Sequence, residues 1–279
     1  MVPKPRRQRL DEAVVGRGLL ESRSRAKAFI LAGDVLLNGS PVRHASAPVD
    51  VSDQISLAVP PRFVSRGGTK LDAALDAFQV SCSGQVVADL GASTGGFTDV
   101  VLQRGARRVY AVDVGYGELH PSLRDDERVV VMDRTNARYL AGLPEEVDLV
   151  VIDVSFISLR LILPVAARLL RPGGTCVPLI KPQFEAGQRD VGKGGVVRDP
   201  AVHARVLTEV LTAASVWFEP RDLIASPLTG PAGNREFLAH LVRSNRVGSV
   251  PLASEGARTG DETATSAHVT PVRPGRTPR

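Results

Sequence analysis

Hydrophobic positions along the chain follow two different rhythms. In residues 9–57 the apolar runs are short. Leu10, Val14 and Val15 share one face of a helical pattern, and Gly16 with Gly18 loosens its end. Ser22 or Ser24 can cap a second helix holding Ala26, Phe29 and Ile30, which Gly33 stops. The stretch VLLNGSPV then sets Asn38-Gly39 between apolar residues, a hairpin signal. This part predicts a helix pair followed by a small sheet.

From about Val64 the rhythm lengthens into alternating strands and helices. VVADL, a glycine turn and the helical FTDVVLQRG are followed by the strands RVYAVDV, RVVVMD and VDLVVIDVSF. Then come the helical LRLILPVAARLL, the strand TCVPLIKP, a helix over about 200–214, and strands near Asp222 and Phe237. Continuous apolar strands between helices predict a parallel sheet covered on both faces, an α/β Rossmann-like doubly wound fold behind a small N-terminal α+β domain. Pro60 and Pro61 mark a stiff connector. The expected division is a first domain over 1–59, a linker over 60–66, a catalytic domain over 67–245 and a disordered tail over 246–279, where apolar periodicity is lost.

Composition adds modest constraints. Hydrophobic residues at 43% and charged residues at 23% are ordinary for a globular protein, which excludes disorder throughout. Cys82 and Cys176 have no paired spacing, so neither a disulfide framework nor a zinc site is suggested, and no other metal site is expected. With no secretory pattern at the N-terminus, this points to a cytoplasmic protein. The most apolar stretch, residues 149–170, contains Asp153, Arg160, Pro164 and Arg168 and reads as a buried strand and helix rather than a membrane span. The net charge of +5 permits an anionic partner. Arg17, Arg23, Arg25, Lys27 and Arg43 crowd the first domain, although charge alone fits a solvated surface equally well.

The most specific motif lies in residues 89–98. Asp89 ends a strand, and Gly91, Ala92, Ser93, Thr94, Gly95, Gly96 and Phe97 form a loop that opens a helix. Asp113 ends the next strand, where a carboxylate can accept hydrogen bonds from the hydroxyls of an adenosine ribose. Asp133 ends the third, near the expected adenine. The glycines lack the dinucleotide spacing G-x-G-x-x-G, and Asp89 would repel a pyrophosphate but suits the cationic end of S-adenosylmethionine. An NAD-dependent dehydrogenase is the weaker alternative.

Asp153 and Lys181 each follow an apolar strand, which in an open α/β sheet brings them to the ligand crevice. A desolvated lysine oriented by a carboxylate can take a proton from a poorly acidic hydroxyl. Two resemblances extend this reading. RLDEAV with SRSRAKAFILAGDVLLNG resembles the alpha-L RNA-binding domain of a ribosomal small-subunit protein and of pseudouridine synthases. VSRGGTKL, DLGASTGGFTD, DVGYG, RTNAR, DVSFISL, KPQFE, GGVVRDP and GNREF resemble the TlyA (haemolysin A) family, which is similar to the FtsJ-type ribose 2′-O-methyltransferases.

That resemblance implies S-adenosylmethionine as cofactor, ribosomal RNA or ribosomal subunits as partner, and cytidine 2′-O-methylation in one subunit or both. It implies a catalytic set of Lys70, Asp153, Lys181 and Glu236, with Lys181 assisting deprotonation, Asp153 orienting it, and Lys70 with Glu236 positioning the target. Arg17, Arg23, Arg25, Lys27, Arg43 and Arg66 become the candidate RNA contacts. Two other functions compete: an RNA-binding assembly protein without activity, and a membrane-lysing protein, as the family name suggests.

Overall fold

A computed structural model describes residues 8–58, 62–230 and 232–244; the tail expected over 246–279 lies outside the described residues. The first domain contains β1 (Gln8–Arg9), α1 (Leu10–Gly16), α2 (Arg23–Ala32), β2 (Val35–Leu37), β3 (Ser40–Pro41), β4 (Pro48–Val49) and β5 (Ile55–Leu57). Ser22, not Ser24, caps α2: its hydroxyl accepts the backbone N–H of Arg25, and Gly33 closes the other end in a left-handed conformation. The hairpin turns at Asn38-Gly39, and β2 is the middle strand of a sheet ordered β3-β2-β5. Leu10, Val14, Ala26, Ile30 and Val35 are its buried centre.

The larger domain follows with α3 (Arg66–Ala77), β6 (Val86–Leu90), α4 (Gly96–Gln103), β7 (Arg108–Val112), α5 (Pro121–Arg124), β8 (Val129–Met132), β9 (Val147–Ile152), α6 (Leu163–Leu169), β10 (Leu170–Ile180), α7 (Pro182–Glu185), α8 (Pro200–Ala214), β11 (Phe218–Ala225) and β12 (Phe237–Arg243). Seven strands form one sheet in the order β11-β12-β10-β9-β6-β7-β8. Apolar clusters cover both of its faces. Strand order reverses at β6, so the chain leaves β6 for β7 on one side and returns as β9 on the other. A crevice opens there at the strands' carboxyl ends.

Three details depart from the sequence reading. The helix expected across LRLILPVAARLL is broken into a 3-10 turn, Leu159–Leu161, and the shorter α6, because Pro164 has no N–H to donate and is accommodated only in a first helical turn. α3 begins at Arg66, inside the stretch expected to be linker. The sheet is also not wholly parallel, since β12 runs antiparallel to both β10 and β11. That reversal matters for the site: the start of β12 lies where the parallel strands end, with Phe237 paired to Ile180. Glu236 and Lys181, the next residues outward, are thereby brought to the same edge.

The segment before α3 is held to the larger domain by charge. The Asp99 carboxylate accepts the Val64 N–H at 2.8 Å, and Asp72 takes Arg62 and Arg104 at 2.5 Å each. α3 therefore enters at a fixed position beside α4, which carries Lys70 toward the crevice.

Leu149 lies in β9 with no exposed surface, at the centre of the sheet. Leu149→Ala is expected to destabilise the chain by about 2–5 kcal/mol, measured as a drop in the denaturant midpoint.

Candidate active site

The loop after β6 carries the chain from the sheet into α4 with little room to spare. At Gly91, whose φ is +89°, a Cβ would lie 2.7 Å from the carbonyl oxygen of Asp153 and 3.2 Å from the Cα of Val154. At Gly96 it would lie 2.0 Å from the Ser65 hydroxyl. Glycine at these two positions lets the loop meet the end of β9 on one side and the entry to α3 on the other. The result is two adjoining cavities separated by the loop.

One cavity, of about 390 Å³, is bordered by Asp113, Gly115, Glu118, Thr135, Asn136 and Val154. The Asp113 carboxylate accepts the N–H groups of Ser93 at 2.8 Å and Gly115 at 2.7 Å, which fixes it at the end of β7 while leaving lone pairs for a ligand. Glu118 was not anticipated from the sequence; it receives the Ser93 hydroxyl at 3.3 Å, and the DVGYGE run was its only signal. Asp133 is placed differently from expectation. Its carboxylate accepts the Gly117 N–H at 3.2 Å and the Arg124 guanidinium at 3.0 Å, so it braces the 115–119 loop instead of lining the cavity.

Asp89 lies just beneath the loop with no exposed surface. One carboxylate oxygen accepts the Thr98 hydroxyl at 2.7 Å, and the other has no partner. Burial first, and then the nearby carboxylates Asp153 and Asp113, push its pKa up to about 7 against the pull of Thr98. An unpartnered buried carboxylate oxygen at this point favours a cation.

The second cavity, of about 740 Å³, is bordered by Lys70, Asp153, Ser155 and Lys181 together with loop residues from Gly91 to Phe97. Lys181 follows β10, and its Nζ lies 2.7 Å from Asp153 Oδ1 and 2.9 Å from Ser155 Oγ. Lys70 Nζ meets Glu236 Oε2 at 2.5 Å, in a pair whose side chains are 8% and 1% exposed. Gln183 reaches the other Glu236 oxygen at 3.5 Å. The structure therefore brings Lys70, Asp153, Lys181 and Glu236 together as two ion pairs from four separate elements. Ser155 was missed, although it sits in the DVSF motif that singled out Asp153.

The candidate RNA contacts are scattered by comparison. Arg17 donates to the carbonyls of Asp50, Val51 and Asp53, and Arg23 pairs with Asp11 and Glu12 at 3.2 Å each. Arg25 pairs with Glu21 at 3.3 Å and reaches the carbonyls of Phe63 and Val64. Arg43 packs over Gly33, while Lys27 and Arg66 are exposed, Arg66 at the second cavity. Glu21, Ser22, Ser24, Arg25 and Ala28 also border that cavity, so the start of α2 forms part of its wall. Phe156 is 90% exposed with φ +63°, and its ring lies 5.0 Å from that of Phe184.

Residues 63–243 match the FtsJ-like methyltransferase family, and residues 8–55 match the S4 domain. The chain is 48% identical over 244 residues to the 16S/23S rRNA (cytidine-2′-O)-methyltransferase TlyA of Mycobacterium tuberculosis, covering 85% of this chain and 90% of that protein. It is 40% identical over 238 residues to Hemolysin A of Brachyspira hyodysenteriae, covering 84% and 99%. A solved structure from Streptococcus thermophilus, described as a "putative hemolysin", has 43% identity and a TM-score of 0.70 over 86% of this chain and 90% of that one. Among the described residues no helix is long and apolar enough to cross a membrane.

Two outcomes follow from the buried charges. The raised Asp89 pKa means that the folded chain holds a proton there which the unfolded chain releases near pH 4. This contribution to stability is full below pH 4 and declines as pH rises toward 7. Asp89→Asn is therefore expected to melt higher than the parent at pH 8, with the gain vanishing by pH 4 in thermal scans without ligand. Lys70→Ala leaves Glu236 buried and unpaired, and chemical denaturation should show a loss of about 3–5 kcal/mol.

Proposed function

The chain belongs to the TlyA (haemolysin A) family of FtsJ-like methyltransferases, and from that premise we propose that it transfers a methyl group from S-adenosylmethionine to the ribose 2′-hydroxyl of cytidine in ribosomal RNA, 16S, 23S or both. The observation that carries the proposal is the pair Asp153–Lys181, with the Lys181 amine held at 2.7 Å beside the mouth of the glycine loop. S-adenosylmethionine, when bound, supplies a methyl group activated by a positively charged sulfur.

The residues present fit such a cofactor. Asp113 and Glu118 offer acceptors for ribose hydroxyls, the loop backbone has no Cβ to obstruct a close approach at Gly91, and the unpartnered oxygen of Asp89 favours the cationic portion. A dinucleotide pyrophosphate would face Asp89 instead, so the dehydrogenase reading loses support.

Each remaining part of the chemistry falls to a side chain. Lys181 takes the 2′-hydroxyl proton onto Nζ, and Asp153 holds the amine in place and stabilises the ammonium it becomes. Lys70, paired with Glu236, borders the cavity as a cation for the target phosphate. Phe156 presents a ring on which an unstacked base can rest. Lys27, Arg43 and Arg66 are exposed and available to RNA, whereas Arg17, Arg23 and Arg25 act first by holding the N-terminal domain and its junction in shape. The S4 match and the cytidine-directed relative support RNA as the substrate and the cytoplasm as the location.

Labelled S-adenosylmethionine with separated ribosomal subunits, followed by mapping of the modified nucleotides, tests this reading. Lys181→Ala is expected to reduce methyl transfer by roughly 10²-fold or more while changing cofactor affinity less than about twofold. A folded variant that methylates at the parental rate would remove Lys181 from the mechanism. Absence of labelling by the parent on either subunit would remove the substrate.

A further inference from the structure

Four residues border both cavities: Gly91, Ser93, Asp153 and Ser155. They mark the passage through which a methyl group would move from the cofactor side to the target side. Gly91 and Ser93 belong to the glycine loop, and Asp153 already partners Lys181. Ser155 has no role in the chemistry described so far, yet its Oγ accepts a hydrogen bond from Lys181 Nζ at 2.9 Å.

We infer that Ser155 is a positioning residue that aims the Lys181 amine, an inference that rests on the proposed methyl transfer. A neutral lysine amine has two N–H bonds and one lone pair. Ser155 Oγ at 2.9 Å accepts one of those N–H bonds, whereas Asp153 Oδ1, although 2.7 Å away, attracts the amine without the geometry of a hydrogen bond. The bond to Ser155 limits rotation of the amine and leaves its lone pair for the substrate hydroxyl. Asp153 alone would hold the amine near without fixing its rotation, so its lone pair would point at the substrate for only part of the time. In the transfer itself the 2′-oxygen forms its bond to the methyl carbon as the sulfur–carbon bond breaks and its electron pair returns to sulfur. The 2′-proton passes to Lys181, and the ammonium so formed keeps its bond to Ser155 and its ion pair with Asp153.

Backbone geometry keeps Ser155 where this requires it. The carbonyl of Asp153 and the Cα of Val154 abut Gly91, and Phe156 on the other side adopts a φ of +63°, a conformation that L residues rarely take. The 153–156 segment has little freedom to slide along the loop. Ser155 itself is exposed to the cavity, so removing its hydroxyl leaves no buried group unpaired.

The test compares Ser155→Ala and Ser155→Thr with the parent in methyl transfer to ribosomal subunits, and separately in amine labelling by limited reductive methylation read by mass spectrometry, with exposed Lys27 as internal reference. For Ser155→Ala the expected result is a kcat roughly tenfold lower, with KM for RNA and Kd for S-adenosylmethionine within about twofold of the parent. Labelling of Lys181 relative to Lys27 should rise roughly threefold or more as the amine loses a restraint. Ser155→Thr, which keeps the hydroxyl, should recover most of both. The inference is overturned by an unchanged kcat, by a loss confined to KM or cofactor Kd, by Thr behaving like Ala, or by unchanged labelling. Should the parent prove inactive on both subunits, the proposed function fails, and the labelling comparison still decides whether Ser155 restrains Lys181.

Discussion

Gly91 and Asp153 meet backbone to backbone at the point where the order of the sheet reverses, and no side chain fits between them. That contact holds the loop after β6 against the end of β9, and most of the site depends on it. It divides the crevice into two cavities that share only a narrow border, and it fixes the 153–156 segment on which Asp153 and Ser155 are carried. A looser approach would merge the cavities, and the target would no longer have to approach the donor from one side. The geometry of transfer is in this sense a packing property of the sheet before it is a property of any charged group.

Charge placed so close together is costly, and the way it is distributed shows what the fold tolerates. Asp89 lies near both Asp153 and Asp113, and its burial and these neighbours favour its protonated form. Asp113 accepts two backbone N–H groups, and Asp153 pairs with Lys181. Lys70 and Glu236 solve the same problem as a closed pair, each cancelling a charge that could not be buried alone. The two lysines therefore differ in their partners rather than in access: both border the cavity, with side chains 8% and 12% exposed, but Glu236 is buried whereas Asp153 is partly exposed.

Some of this was legible in the order of residues, and what was legible had a physical reason. VVADL followed by Gly91, Gly95 and Gly96 is a local pattern whose meaning depends only on the strand before it and the helix after it, and the structure has the glycine loop between β6 and α4 where that pattern put it. Asp153 and Lys181 could be assigned to one edge because parallel strands all end there. Glu236 could not be reached by that logic, since it lies at the start of a strand; only the antiparallel direction of β12 brings it to the same edge, and strand direction is not written in apolar alternation. Asp133 misled for the converse reason. It does end a strand, but two nearby donors, Gly117 and Arg124, compete for its carboxylate, and a loop's own hydrogen bonds are invisible in spacing. The break at Pro164 was written plainly, yet strong apolar periodicity across it favoured a longer helix.

Charge density in the N-terminal domain was the least reliable guide to contact with RNA, because an arginine satisfied by its own chain looks no different in sequence from a free one. Arg17 and Arg23 are spent on carbonyls and carboxylates within the domain. Arg25 reaches out of it, to the carbonyls of Phe63 and Val64, and these contacts hold α2 against the segment that leads into α3. Backbone carbonyls cannot rotate away as a side-chain carboxylate can, so the restraint is geometric as well as electrostatic. With α2 so fixed, Ser22, Ser24 and Ala28 border the same cavity as Lys181 and Lys70. The domain that matches the S4 family is then also a wall of the second cavity, so that whatever either one holds lies beside the other.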